Sequence, residues 1–128
     1  MFDHLGFPVS NLQRAVDFYT KALEPLDVKM LFEVTPEMSG DAGSHFGFGV
    51  ERPQFWISSG KKPQSSLHVA FNAKDRKTVD TFYAAAIAAG GKDNGAPGLR
   101  PHYHEHYYGA FVLDHDGNNI EAVCHSLA

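Results

Sequence analysis

Apolar residues recur with helical spacing in two stretches of the chain, and a short apolar run typical of a strand precedes each stretch. The first helix is predicted to start at Ser10, with Gln13 completing a capping box, and to stop at Pro25. The second is predicted to start at Asp75 and to end at Gly90-Gly91. Each helix therefore has one apolar face to bury.

Seven apolar runs in all predict strands, and an eighth strand is expected in a segment that the sequence marks poorly. Asp116-Gly117 is a turn signal between the last two strands. Glycine and proline at 90–101 and polar residues at 35–44 predict loops. The predicted strands are 2–8, 28–34, 45–50, 54–58, 66–72, 109–113 and 119–125, with the eighth around 92–107.

The second half of the chain repeats the first at an offset of 64 residues. Both halves run from a strand into a helix. We therefore predict a single domain over 1–128, built from a module at about 1–60 and a module at about 66–128, with a polar linker at about 58–65. The identical pairs are His4/His68, Phe7/Phe71, Phe18/Phe82, Tyr19/Tyr83 and Ala22/Ala86.

Composition narrows the function classes. With 128 residues, of which 43% are hydrophobic, the chain can hold a core without staples, and a single cysteine excludes an internal disulfide. The net charge of −4 and the scattered basic residues argue against nucleic acid or a membrane as partner. Without a signal peptide or a long apolar run, the expected location is cytoplasmic. The eight histidines direct attention to metal binding and proton transfer.

Strand alternation turns three polar side chains, two histidines and one glutamate, away from the helices. His4 and His68 alternate with apolar neighbours in the first strand of each half, and Glu121 does so in the last strand. A carboxylate in an apolar strand is costly to bury without a positive partner. Two histidines and one carboxylate are the ligand set of mononuclear sites with open positions, so we predict that they hold one divalent ion: Zn, Ni, Mn or Fe.

The same segments resemble a known superfamily. The strand of His4, the helix at 15–19, the strand at 67–71 and the closing segment 111–121 are similar to the vicinal oxygen chelate superfamily, which includes glyoxalase I, extradiol dioxygenases, fosfomycin-resistance thiol transferases and bleomycin-binding proteins. The resemblance covers nearly the whole chain, and its most specific part is Leu-Asp-x-Asp-Gly-Asn-x-Ile-Glu at 113–121.

This resemblance implies an α+β fold of two βαβββ modules, with curved mixed sheets around a cavity. It also implies a homodimer, metal ligands at the positions of His4, His68 and Glu121, and a small-molecule substrate with adjacent oxygens. A shared fold hosts many chemistries, so it does not by itself give the reaction.

Two departures bear on the reaction. Glyoxalase I carries a further glutamate ligand in its first module, but the offset of 64 residues places Ile57 where that residue is expected. The fosfomycin-resistance enzymes carry a tyrosine ten residues before the carboxylate ligand, where this chain has Phe111. A glyoxalase-like lyase or isomerase is slightly favoured. The alternatives are an extradiol-type dioxygenase and a non-catalytic, drug-sequestering protein of the bleomycin-resistance type.

A second group of candidates precedes the strand that pairs with that of Glu121. If segment 100–108 is extended, His102, His104 and His106 project from one face, where they either reach the cavity and bind metal or transfer protons, or lie in solvent. The catalytic base is expected from His104, His106 or a tyrosine at 103, 107 or 108, of which we select Tyr108. Candidate substrate-binding residues are Arg100 for a carboxylate or phosphate, His102, and Trp56 as an aromatic wall; the alternatives are a surface arginine and a core tryptophan.

Overall fold

The computed structural model describes residues 1–40 and 43–127. Residues 41 and 42 of the predicted loop 35–44, and residue 128 of the predicted second module, lie outside this range. A 3₁₀ turn at Glu24–Leu26 follows the first helix. In chain order the elements are β1 (Leu5–Val9), α1 (Leu12–Ala22), β2 (Lys29–Val34), α2 (Pro36–Ser39), β3 (His45–Gly49), β4 (Phe55–Ser59), β5 (His68–Asn72), α3 (Arg76–Ala88), β6 (Lys92–Leu99), β7 (Tyr108–Leu113) and β8 (Asn119–Cys124).

The strands form two four-stranded sheets with the same connectivity. The first has the order β1-β4-β3-β2 and the second the order β5-β8-β7-β6. In each sheet the first strand pairs parallel with the last, and the remaining pairs are antiparallel. The predicted α+β fold of two βαβββ modules is confirmed. The sheets use residues 5–59 and 68–124, while the exact module and linker boundaries remain predictions.

Strand register corrects the internal alignment by one residue. Gly6 in β1 pairs with Trp56 in β4, and Ala70, which lies 64 residues after Gly6, pairs with Glu121 in β8. Trp56 is therefore the structural equivalent of Glu121, at an offset of 65 residues rather than 64. Ile57, predicted as the equivalent, is fully buried in the core instead. Neither side chain can supply a carboxylate ligand.

The core lies where α1 and α3 pack on each other and on the sheets. Aromatic side chains from both halves meet in it: the rings of Phe55 and Phe71 lie 5.3 Å apart, edge to face. Fully buried Tyr19 on α1 donates its hydroxyl to Asp114 Oδ2, 2.5 Å away, in the turn between β7 and β8. Asp114 also accepts from both nitrogens of Asn118, at 2.8 and 2.9 Å. This network fastens the first half to the second.

Helix boundaries agree with the prediction only in part. Asn11, not Ser10, caps α1, because its side chain accepts from the Arg14 backbone N–H at 3.0 Å. Ser10 instead hydrogen-bonds Asp116 through both its hydroxyl and its backbone N–H. Helix α1 ends at Ala22, before Pro25, which lies in the 3₁₀ turn. For α3 the prediction is confirmed, since Asp75 accepts from the Thr78 N–H at 2.7 Å.

Two predicted loops contain regular structure. Strand β6 runs through 92–99 and pairs with β7, with register shifts near Gly95, whose φ of 146° suits a residue without a side chain. The short helix α2 occupies residues 36–39. Within the part of the chain that the structure describes, no helix is long and apolar enough to span a membrane.

Candidate metal centre

The centre of the site is a pair formed by His68 and Glu121. Because β5 and β8 are parallel neighbours, the first residue of β5 lies beside the start of β8, and the two side chains meet. His68 Nε2 lies 2.8 Å from Glu121 Oε1. The Glu121 side chain is only 1% exposed, whereas that of His68 is 55% exposed. A buried carboxylate thus has a half-exposed imidazole as its partner.

Tyr107 occupies the other oxygen of this carboxylate. Its hydroxyl donates to Glu121 Oε2. Burial raises the pKa of Tyr107 well above the ordinary 10, and the hydrogen bond to Glu121 and its negative charge raise it further, so the hydroxyl keeps its proton and acts as donor. Tyr107 and Phe111 lie four residues apart and so on one face of the chain, and Phe111 pairs with Glu121 in the sheet; alternation therefore accounts for this contact once the register of β7 against β8 is known.

Tyr108, the selected tyrosine, points the other way. Its hydroxyl donates to Asp80 on α3 at 2.6 Å, and the Arg76 guanidinium lies 5.2 Å from its ring. Since successive residues of a strand face opposite sides, Tyr108 lies on the helix side of the sheet, opposite to Tyr107. We call the opposite side, which carries His68, Glu121 and Phe111, the site face. The expectation for Tyr108 is corrected accordingly, and Tyr107 is the tyrosine that reaches the carboxylate.

His4, the third predicted ligand, lies elsewhere in the chain. Its Nδ1 is 2.7 Å from Asp3 Oδ1 and its side chain is 60% exposed. It lines a cleft of about 470 Å³ together with Val69 and Phe71 of β5. Among residues 1–40 and 43–127, no three His, Cys, Asp or Glu side chains form a group that could hold a metal ion. One chain therefore brings together two of the three predicted ligands.

The pair fits a metal ion by the chemistry of its donor atoms. An imidazole nitrogen and a carboxylate oxygen point at each other, and these are the donors that divalent transition metals take in proteins. His68 contributes the ring nitrogen that faces Glu121 Oε1, and Tyr107 holds the carboxylate through its other oxygen, Oε2. A complete site would need at least one more ligand from outside this pair.

Segment 100–107 is a tight turn, so the condition under which the three histidines would share one face is not met. The Arg100 carbonyl accepts from the N–H groups of Tyr103 and His104, at 2.9 and 3.4 Å, which closes the turn. His102, His104 and His106 consequently do not form one row: the ring of His102 lies 4.2 Å from that of Tyr103. The ring of His104 instead lies 6.1 Å from that of His106.

The His104 side chain is linked to the site through ring contacts. Its ring centroid lies 5.8 Å from that of His125, and His125 lies 5.2 Å from the Tyr107 ring. His106 Nε2 lies 3.3 Å from Glu105 Oε1. His104 therefore lies near the tyrosine that contacts Glu121, and His106 directly precedes that tyrosine in the chain. The hydrogen-bond partners of the Glu121 carboxylate are His68 and Tyr107 instead.

Arg100 packs over the site face. Its guanidinium lies 5.4 Å from the centre of the Phe111 ring, and that ring lies 6.4 Å from the His68 ring. Nη1 donates to the Gly98 carbonyl and Nη2 to the Ala96 carbonyl, each at 2.8 Å. Since a guanidinium has five N–H donors, the remaining ones are available to another acceptor.

Trp56 lies on the matching face of the first sheet. Alternation places the core residues Phe55 and Ile57 on the helix side and Trp56 on the opposite one. Its indole covers Gly47, where an added Cβ would lie 2.8 Å from Cη2, and its ring is 6.4 Å from that of Phe32. Phe32 is 45% exposed, so the two rings form an aromatic surface rather than core.

Comparison with known proteins places these features in a wider group. A family model described as "Glyoxalase/Bleomycin resistance protein/Dioxygenase superfamily" matches residues 1–122. The metallothiol transferase FosB of Shouchella clausii (strain KSM-K16) is 26% identical over 134 residues, which cover 98% of this chain and 81% of that protein.

Solved structures show the same fold. A glyoxalase/bleomycin resistance protein from Albidiferax ferrireducens T118 superposes with a TM-score of 0.77 at 25% identity, covering 97% of this chain and 98% of its own. A mutant of the fosfomycin resistance protein FosX from Listeria monocytogenes, complexed with Mn(II) and 1S,2S-dihydroxypropylphosphonic acid, superposes with a TM-score of 0.71 at 17% identity, covering 99% of this chain and 91% of its own.

Proposed function

Since this chain belongs to the glyoxalase/bleomycin resistance protein/dioxygenase superfamily, we propose that it is a metal-dependent enzyme acting on a small molecule with adjacent oxygens. The observation that carries the proposal is the pair of His68 and Glu121, a buried carboxylate facing an imidazole. Glyoxalase-like lyase or isomerase chemistry is favoured over dioxygenation. In further support, the Listeria FosX structure contains Mn(II) and a dihydroxy compound.

His4 of a second copy of the chain is the proposed third ligand. Within the described residues, His68 and Glu121 find no third partner of the right chemistry. Strands β1 and β5 are both edges of their sheets, His4 directly precedes β1, and His68 begins β5. In a symmetric dimer that joins these edges, each copy contributes its His4 to the His68 and Glu121 of its partner, so two equivalent sites arise.

We propose the following roles for the remaining residues from the chemistry of their side chains. When bound, the metal would supply positive charge that stabilises an enolate-like or oxyanionic form of the substrate. Arg100 offers its free N–H donors to a substrate carboxylate or phosphate. His104 or His106 transfers the proton, His102 borders the substrate at the outer end of the turn, and Trp56 is an aromatic wall from the other sheet.

Complementation between two defective variants tests the proposal. His4→Ala and His68→Ala each remove one ligand, and neither is expected to bind Mn²⁺ or Co²⁺ with the affinity of the unchanged protein. In a mixed dimer of the two variants, one of the two sites keeps all of its ligands. Random reassembly of an equal mixture should therefore restore about a quarter of the full metal occupancy.

Two outcomes of this experiment and two related measurements have distinct meanings. Restored occupancy in the mixture supports a site shared between chains. If the mixture binds no more metal than the separate variants, the shared site is wrong. Metal binding that is unaffected by His68→Ala or Glu121→Gln would overturn the metal-dependent enzyme as a whole. Activity that requires ferrous iron and oxygen would identify a dioxygenase rather than a lyase or isomerase.

Sequestration of a small molecule without catalysis is a second candidate. The observation in its favour is the aromatic surface formed by exposed Phe32 and half-buried Trp56, which suits a flat apolar group. Since Trp56 is the only tryptophan, its fluorescence reports binding directly. Quenching by a ligand that binds equally well to His68→Ala, in protein without metal, would support this candidate over the enzyme.

A further inference from the structure

We propose that Tyr107 is a positioning residue, which holds one oxygen of Glu121 so that only the other is offered to a metal ion beside His68. The inference rests on the proposed function, because it concerns the same carboxylate. It adds a residue that acts on the ligand set through Glu121 rather than by touching the substrate.

The two oxygens of Glu121 have different partners. Oε1 faces His68 Nε2 at 2.8 Å, whereas Oε2 accepts the Tyr107 hydroxyl. The carboxylate is almost completely buried, so water does not compete for either oxygen. A free carboxylate can bind a metal through one or both oxygens. With Oε2 already engaged by a strong donor, binding through Oε1 alone is favoured, and one more coordination position stays open for a substrate that brings two oxygens.

Two backbone hydrogen bonds hold Tyr107 in place at the end of the turn. Its carbonyl accepts from the Arg100 N–H at 2.7 Å, and its own N–H donates to the His104 carbonyl at 3.1 Å. The first bond joins the two ends of the 100–107 turn, and the second closes its last four residues. The phenol is therefore presented by a turn with a defined conformation rather than by a free loop.

Ring contacts fix the phenol itself. The rings of Tyr103 and His125 meet it nearly edge to face, at 5.1 and 5.2 Å. Beneath it lies Gly109, where an added Cβ would come within 3.2 Å of Tyr107 Cε1 and 3.4 Å of Glu121 Oε2. The missing side chain at Gly109 gives the phenol its path to the carboxylate.

Tyr107→Phe tests the role because it removes only the hydroxyl. The matched control is Tyr108→Phe, since Tyr108 is the next residue and its hydroxyl also binds a carboxylate, that of Asp80, on the opposite face of the strand. Co²⁺ affinity is measured by calorimetry, and the visible absorption of bound Co²⁺ reports its coordination. We expect Tyr107→Phe to weaken Co²⁺ binding about 10- to 100-fold and to change the spectrum, as loss of an outer partner of a ligand does.

A purely structural tyrosine would behave differently. It would lower the urea midpoint but leave the affinity and the Co²⁺ spectrum as they are, and that result would overturn the proposal. The control variant should change neither the affinity nor the spectrum. X-ray absorption on the unchanged Co²⁺ protein gives an answer even if Tyr107→Phe does not fold, because a carboxylate bound through both oxygens would also overturn it.

Failure of the proposed function looks different from failure of this inference. If the unchanged protein binds no Co²⁺, or binds it independently of His68 and Glu121, both are wrong. If binding requires these two residues but Tyr107→Phe matches the unchanged protein, only the role of Tyr107 is wrong.

Discussion

Tyr19→Phe removes the side-chain hydrogen bond by which α1 holds the turn between β7 and β8. The Tyr19 side chain is fully buried and its hydroxyl donates to Asp114 Oδ2 at 2.5 Å. After the substitution Asp114 still accepts from Asn118 Nδ2 at 2.9 Å and from the N–H groups of Asn118 and Asp116, at 2.8 and 3.0 Å. The carboxylate is thus not left without partners, and the loss is that of a single bond to a charged group.

Such a bond contributes about 1.5 to 3 kcal/mol to the free energy of unfolding. We therefore expect Tyr19→Phe to cost about 2 kcal/mol, which lowers the folding equilibrium constant about 30-fold. For a domain of this length the melting temperature should fall by roughly 6 to 10 °C. The assay is urea unfolding followed by circular dichroism, with all variants at one protein concentration, because association would otherwise change the midpoint.

The internal repeat supplies the matched control. Tyr83 occupies the equivalent position on α3, and its hydroxyl donates to Asp93 at 2.9 Å in an exposed position. Tyr83→Phe removes the same atom from a bond that water can replace, so its cost should stay within about 0.5 kcal/mol. Equal losses for the two variants, or a loss below about 0.5 kcal/mol for Tyr19→Phe, would refute the conclusion that this buried hydrogen bond stabilises the contact between the two halves.

Three further tests, which use four substitutions, address other parts of the fold. The side-chain and then the backbone hydrogen bonds from Thr78 lower the pKa of Asp75. The stability that the Asp75 carboxylate contributes is therefore present above the ordinary pKa of 3.8 and is lost as the pH falls through the lowered value. Asp75→Asn keeps the helix cap but should flatten this acid dependence of the urea midpoint. Gly91→Ala places a Cβ too close to Val112 Cγ1 for ordinary contact and should cost about 1 to 3 kcal/mol. Adding Val112→Ala should cost less than the sum of the single changes, and strict additivity would contradict the contact. Gly47→Ala should displace the indole of Trp56 and shift its fluorescence; an unchanged spectrum would show that the ring does not rest on this glycine.

The sequence predicted the fold because its signals were repeated. Apolar runs at matching positions in both halves identified seven strands within a few residues, and the repeat gave the modules. The eighth strand was hard to place because β6 contains Gly95, Pro97 and Gly98, which are turn residues elsewhere and are tolerated here beside register shifts. The cap of α1 was misplaced by one residue, since Ser10 is drawn into a bond with Asp116, a partner 106 residues away.

The site was predicted less completely, for a geometric reason. Alternation sufficed to place His68 and Glu121 on one face, and the structure brings them to 2.8 Å. Tyr107 and Tyr108 could not be distinguished without the register of β7 against β8, which decides the face. The turn at 100–107 depends on the backbone bonds made by Arg100, and no residue pattern announces those.

The segment 113–121, which is the most specific part of the family resemblance, mainly makes structural contacts. Of the polar residues in this segment, Asp114 binds Tyr19, Asp116 binds Ser10, and Asn118 accepts from the Leu67 N–H at 2.9 Å, while Glu121 faces His68. The contacts to Tyr19 and Ser10 join this segment to the first half of the chain, so Asp114 and Asp116 serve the packing of the two halves rather than the candidate site.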